Sequence, residues 1–174
     1  MVGSTLAATA RASQRPCDYD QNTETIIEEK SRCEVPRETP LDWLYFRKSE
    51  DDTPEVLREM AQVFSGLTDV AKVALYAEFN DTMRLAAMGE LNRGDFVDVA
   101  KVFVAPELWE LRWDTDGVLY RLYHAEPPRN NDVLAALRFH TKGPEMFDDS
   151  DAQRAEMLIA AARYTGMVQE GSLV

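Results

Sequence analysis

Basic residues, cysteines and long apolar runs are all scarce in this chain of 174 residues, and each shortage excludes a class of function. Lys and Arg number 19 against 31 Asp and Glu, a formal net charge of −12. Affinity for nucleic acid comes largely from cations that displace counterions at phosphates, so this charge repels polyanions at long range. Any nucleic-acid function therefore needs a local basic patch. No apolar run approaches the roughly 18 residues that cross a bilayer. Met1 to Gln14 has small residues and Arg11 but no apolar stretch of signal-peptide length. The expectation is a soluble cytoplasmic protein with no membrane partner. Cys17 and Cys33 are too few for a disulfide scaffold, and their spacing matches no zinc motif. They read as reduced thiols, with one redox-dependent staple as the alternative. No cofactor and no metal is expected.

What is present is ordinary globular composition, 45% hydrophobic and 29% charged. The acidity is concentrated: residues 51–100 hold 4 basic and 10 acidic residues, while 151–174 hold 2 and 3. Residues 1–40 are polar, contain Pro16 and Pro36, and read as an extension with one short helix around Glu24 to Lys30. Residues 41–174 read as one domain. Leu41 to Phe46 is an apolar cluster suited to a strand.

Thr53-Pro54-Glu55 opens a helix, with Thr as cap, Pro in the first turn and Gly66 as the stop. Thr68-Asp69 opens a longer helix whose stripe of Leu75, Phe79, Met83 and Ala86 runs until Asn92 to Gly94 breaks it. Three strand-like runs follow: Leu108–Trp113, Val118–His124 and Val133–His140. A last helix spans about Asp148 or Ser150 to Tyr164, with Gly166 as its stop. The fold class is α+β, two helices packed on a small antiparallel sheet with a C-terminal helix.

Side chains alternate along a strand, so parity decides which residues share a surface. Leu108, Glu110 and Arg112 point one way, Trp109, Leu111 and Trp113 the other. A two-residue turn at Asp116-Gly117 sets Arg112 opposite Arg121, whereas a four-residue loop sets Glu110 there. With residues 127–132 as the next loop, Glu126 faces Val133, Arg121 faces Arg138, Ala136 faces Tyr123 and His140 faces Leu119. One sheet face then carries Arg112, Arg121, Tyr123, Arg138 and His140, subject to any β-bulge. Such a face is either simply solvated, with Glu110–Arg121 an ordinary cross-strand ion pair, or kept for an anionic ligand, since arginines set opposite one another repel. His124 and His140 are candidates for proton transfer. Trp109, Trp113 and Tyr120 read as packed core.

Glu110-Leu111-Arg112, a turn, and Tyr120-Arg121-Leu122-Tyr123 resemble the "ELR … YR(I/V)LY" signature of RelE/HigB-type toxins, nearest the phage-derived HigB-like branch. Phe139-His140-Thr141-Lys142 occupies the place of that family's F-x-K-K segment. The resemblance spans about residues 41–166 and is most specific over 108–142. It implies the toxin of a type II toxin–antitoxin pair, a metal-independent endoribonuclease acting on messenger RNA, alone or on the ribosome. Its partner would be a helix-turn-helix antitoxin. Of the catalytic candidates, Arg112, Arg121, Tyr123 and Lys142 match that family's pattern, while His140 departs from it but could act as acid or base. Arg138 and His124, outside the pattern, are candidates for binding substrate. The acidity of the chain supports an alternative: a non-catalytic, phage- or prophage-related protein-binding module on the same fold. A third reading is a topoisomerase inhibitor like the related ParE branch.

Overall fold

The computed structural model describes residues 30–49, 52–91, 97–143 and 150–173. Cys17, most of the 1–40 extension and the short helix expected from Glu24 lie outside the described residues. The elements are a 3₁₀ turn Arg32–Glu34, strand β1 (Asp42–Tyr45), helices α1 (Glu55–Val63) and α2 (Asp69–Met88), strands β2 (Val97–Lys101), β3 (Leu108–Thr115), β4 (Val118–Ala125) and β5 (Val133–Lys142), and helix α3 (Ser150–Gln169). The architecture is α+β. No helix among the described residues is long and apolar enough to cross a membrane.

The sheet has five strands in the order β1-β5-β4-β3-β2 and is mixed, not the small antiparallel sheet expected. Strand β1 joins β5 in parallel, Asp42 beside Val133 through Tyr45 beside Ala136. Strand β2, which the sequence reading missed, adds the far edge against β3. Its five residues, Val97-Asp98-Val99-Ala100-Lys101, are few, and two valines alone are a weak strand signal without a partner.

Each face of the sheet carries its own apolar layer. On one, Trp109, Leu111, Trp113, Tyr120, Leu122 and Phe139 meet α1 (Val56, Met60) and α2 (Phe79, Met83, Ala86). Rings cross edge to face here, for example Phe64 against Tyr120 at 6.0 Å and Phe79 against Phe139 at 6.0 Å. The three aromatics expected in the core are there. On the other face, Leu108, Tyr123, Ala125, Ala135 and Leu137 pack on Met157, Ala160 and Met167 of α3. The packed chain begins ahead of residue 41, since Ser31 and Cys33 are buried.

Helix ends depart from the expectation in three places. Pro54, not Thr53, is the first cap of α1, and no side chain caps it. Helix α2 stops at Gly89, before Asn92, because Gly89 takes φ +69° and packs against the Val35 carbonyl, where a Cβ would lie 1.8 Å from that oxygen. Helix α3 runs through Gly166 to Gln169.

Candidate functional site

The β3–β4 connection decides the site first. Asp116 (φ 55°) and Gly117 (φ 77°) form a two-residue turn of the I′ kind, and the Gly117 amide donates to Asp114 Oδ1 at 2.9 Å. That turn places Arg112 opposite Arg121, the first of the two registers the sequence allowed.

The β4–β5 register differs from the expected one. A shift between Tyr123 and His124 leaves Leu137 as the extra residue of a bulge in β5. Arg121 faces His140 rather than Arg138, Tyr123 faces Arg138 rather than Ala136, and Leu119 faces Lys142 rather than His140. Beyond the bulge the displacement is two residues, so parity survives. Arg112, Arg121, Tyr123, Arg138 and His140 do share one face. Ala136 turns to the other, opposite His124. The bulge thereby removes an Arg–Arg pairing and substitutes an imidazole that can be neutral.

The result is a row of Arg112, Arg121 and His140 across three strands. Glu110 sits beside it, on the same face of β3, and bridges the arginines. Arg112 Nε donates to its Oε2 at 2.8 Å, and Arg121 Nε lies 3.0 Å from its Oε1. Side-chain exposure falls from 36% for Arg112 to 10% for Arg121 and 1% for Glu110. Arg121 also donates to the Tyr120 carbonyl at 2.9 Å. Glu110 is the residue whose place in the site the sequence reading undervalued. The signal was its two-residue spacing from Arg112.

Arg138 is held from outside the sheet. Its guanidinium pairs with Glu59 of α1 and, at 2.5 Å, with Glu156 of α3. Glu59 also accepts the Phe139 amide at 2.8 Å, capping β5 where it runs beyond β1. Arg163 of α3 joins the same carboxylate at 2.7 Å. Lys142 donates to Gln153 of α3 at 3.3 Å.

His140 is buried and its Nδ1 lies 3.0 Å from the Thr141 carbonyl, so Nδ1 carries the proton and donates. Its Nε2 is buried with no hydrogen-bond partner among the described residues. Burial pushes the imidazole below its ordinary pKa, opposed by the charge of Glu156. The Tyr123 ring stacks on it at 5.5 Å. Burial, helped by Glu110, drives the Tyr123 phenol far up, so it keeps its proton. Beside His140 opens a cleft of about 330 Å³ lined by Glu59, Gln62, Phe139, Thr141 and Glu156 among others.

His124 is not with them. Alternation points it to the opposite face, where Trp43 meets it edge-on at 5.7 Å and Cys33 and Glu126 lie against it. Burial lowers its pKa, but Cys33 and Glu126 outweigh burial and raise it to about 9. Comparison of the chain with protein-family models, curated proteins and solved structures gives no match.

Proposed function

We propose that this chain is a RelE/HigB-like toxin that cleaves messenger RNA without a metal, in a pair with a helix-turn-helix antitoxin. The observation that carries the reading is the Arg112–Arg121–His140 row, set on one face with Tyr123 and Glu110. The facing Arg112 and Arg121 repel one another, a cost that Glu110 offsets and to which an anionic ligand gives a purpose. In the reaction, the ribose 2′-hydroxyl attacks the adjacent phosphorus and the bond to the 5′-oxygen breaks. Both side chains are buried, so the reaction requires the cleft beside them to open. His140, neutral and with Nε2 lacking a hydrogen-bond partner among the described residues, then takes the 2′-hydroxyl proton, and Tyr123, still protonated, supplies one to the leaving oxygen. Arg112 and Arg121 hold the phosphate oxygens, the more exposed Arg112 meeting them first. Glu110 fixes the two guanidinia in register. Lys142 and Arg138 extend the cationic surface toward α3.

A second reading rests on a specific observation: the guanidinia already have carboxylates, Glu110 for Arg112 and Arg121, Glu59 and Glu156 for Arg138. Pairs so matched suit a structural core, and the chain then acts as a non-catalytic protein-binding module. Induced expression separates the two. A toxin arrests growth and cuts messenger RNA with or without ribosomes, and Arg112→Ala or His140→Gln slows cleavage about 10²–10³-fold. Wild-type protein that neither arrests growth nor cleaves RNA in either assay leaves the binding module as the reading.

A further inference from the structure

A second cluster lies on the far face of the sheet, separate from the arginine row. Cys33 and His124 are buried completely and Glu126 nearly so. The 3₁₀ turn Arg32–Glu34 brings Cys33 to the end of β4, where the chain leaves the sheet through Glu126. Cys33 Sγ stands 3.4 Å from His124 Nε2, and the same nitrogen stands 3.4 Å from Glu126 Oε1. One ligand atom from each residue falls within 4.8 Å of the others.

That nitrogen has two neighbours of acceptor character and only one proton or one lone pair to offer them. At 3.4 Å the contact to the oxygen is also long for a hydrogen bond. A tetrahedral zinc ion accounts for both separations. With bonds of about 2.3 Å to sulfur and about 2.0–2.1 Å to nitrogen and oxygen, the sulfur–nitrogen edge is about 3.5 Å and the nitrogen–oxygen edge about 3.3 Å. Thiolate, imidazole and carboxylate together form a donor set for a borderline-soft divalent ion.

We propose that Cys33 Sγ, His124 Nε2 and the Glu126 carboxylate bind a zinc-like divalent metal ion. The surroundings suit an orienting shell. Glu126 accepts the Ser31 hydroxyl and the Arg32 amide at 3.0 Å, and Trp43 packs edge-on against the imidazole, whose Nδ1 is buried with no hydrogen-bond partner among the described residues. Three protein ligands leave a fourth position, and the burial of Cys33 and His124 keeps that position from bulk solvent, which suits a structural role. Its effect is to clip the segment before β1 onto β4, joining residues 91 positions apart. The Arg32 guanidinium reinforces the clip by donating to the carbonyls of Pro127 at 2.5 Å and Asn130 at 2.9 Å.

The test uses the full chain, free of any affinity tag, stripped with a chelator and titrated with Co²⁺ and then Zn²⁺. The expected result is about one equivalent per chain, a thiolate-to-cobalt charge-transfer absorption, and a rise in thermal midpoint with Zn²⁺. Cys33→Ala should abolish the charge-transfer band, and Glu126→Gln should weaken Zn²⁺ at least about tenfold. Circular dichroism checks that the variants fold, while the wild-type titration depends on no variant. A folded wild-type chain that binds less than about a tenth of an equivalent and shows no band overturns the proposal. So does a band that persists in folded Cys33→Ala. The three groups are then an imidazolium held between a thiol and a carboxylate.

Discussion

Glu110→Gln isolates the charge that holds the arginine row. Glu110 is buried and is paired with both Arg112 and Arg121. Glutamine keeps the shape and one carbonyl acceptor but removes the negative charge. Arg112 is 36% exposed, so water replaces most of what it loses, at a cost under about 1 kcal/mol. Arg121 is 10% exposed and retains its bond to the Tyr120 carbonyl. Removing one partner of a buried pair costs about 3–5 kcal/mol, and the low end applies here because that carbonyl remains. The expected loss is about 3 kcal/mol. With a urea slope of about 2 kcal/mol/M, the midpoint falls by about 1.5 M. Equilibrium urea unfolding followed by circular dichroism reads this directly. Glu110→Gln combined with Arg121→Met should recover at least half of the loss, since it also removes the buried guanidinium left without its carboxylate. A loss below about 1 kcal/mol at unchanged slope would show that the Arg121 charge is solvated, which would refute the pairing argument. The variant also bears on function, because it removes the carboxylate charge paired with both guanidinia. Under the RNA-cleaving reading, affinity for phosphate rises while alignment of the pair is lost.

Two further outcomes follow from single residues. Gly89→Ala should destabilise the chain by more than about 2 kcal/mol in the same urea assay, because φ is +69° and the new Cβ would overlap the Val35 carbonyl. His140 should make stability depend on pH. Its folded pKa is lowered from the ordinary imidazole value of about 6.5, so above that pH both states are neutral and the contribution is fully present. As pH falls below 6.5 the unfolded chain takes the proton first, and stability drops until the folded pKa is passed. His140→Gln should flatten the difference between urea midpoints at pH 7.5 and pH 5.5, and an unchanged difference would mean that this imidazole is not held neutral by burial.

Local chemistry was legible in the residues themselves. Asp116-Gly117 marked a hairpin turn because those two residues accept positive φ, leaving open whether it closed as two residues or four, and in either case strand alternation put Arg112, Arg121, Tyr123, Arg138 and His140 on one side. Glu110 was equally readable, two positions from Arg112 on the same strand. Both depend on backbone geometry over a few residues, which sequence alone carries.

Tertiary structure decided what faces those side chains. The bulge at Leu137 set His140 and not Arg138 opposite Arg121, since the register of two strands depends on packing across both faces of the sheet. Glu59 and Glu156 reach Arg138 from α1 and α3, and nothing in their spacing along the chain points to β5. Strand β1 runs parallel to β5 because its approach is fixed by the body of the fold, not by a turn. Cys33 meets His124 across 91 positions, a contact that only chain closure through the sheet can make. The sequence by itself determined which residues share a strand face and where the chain turns. The charge state of that face, and the second cluster behind it, came from elements distant in sequence and brought together by burial of the two apolar layers.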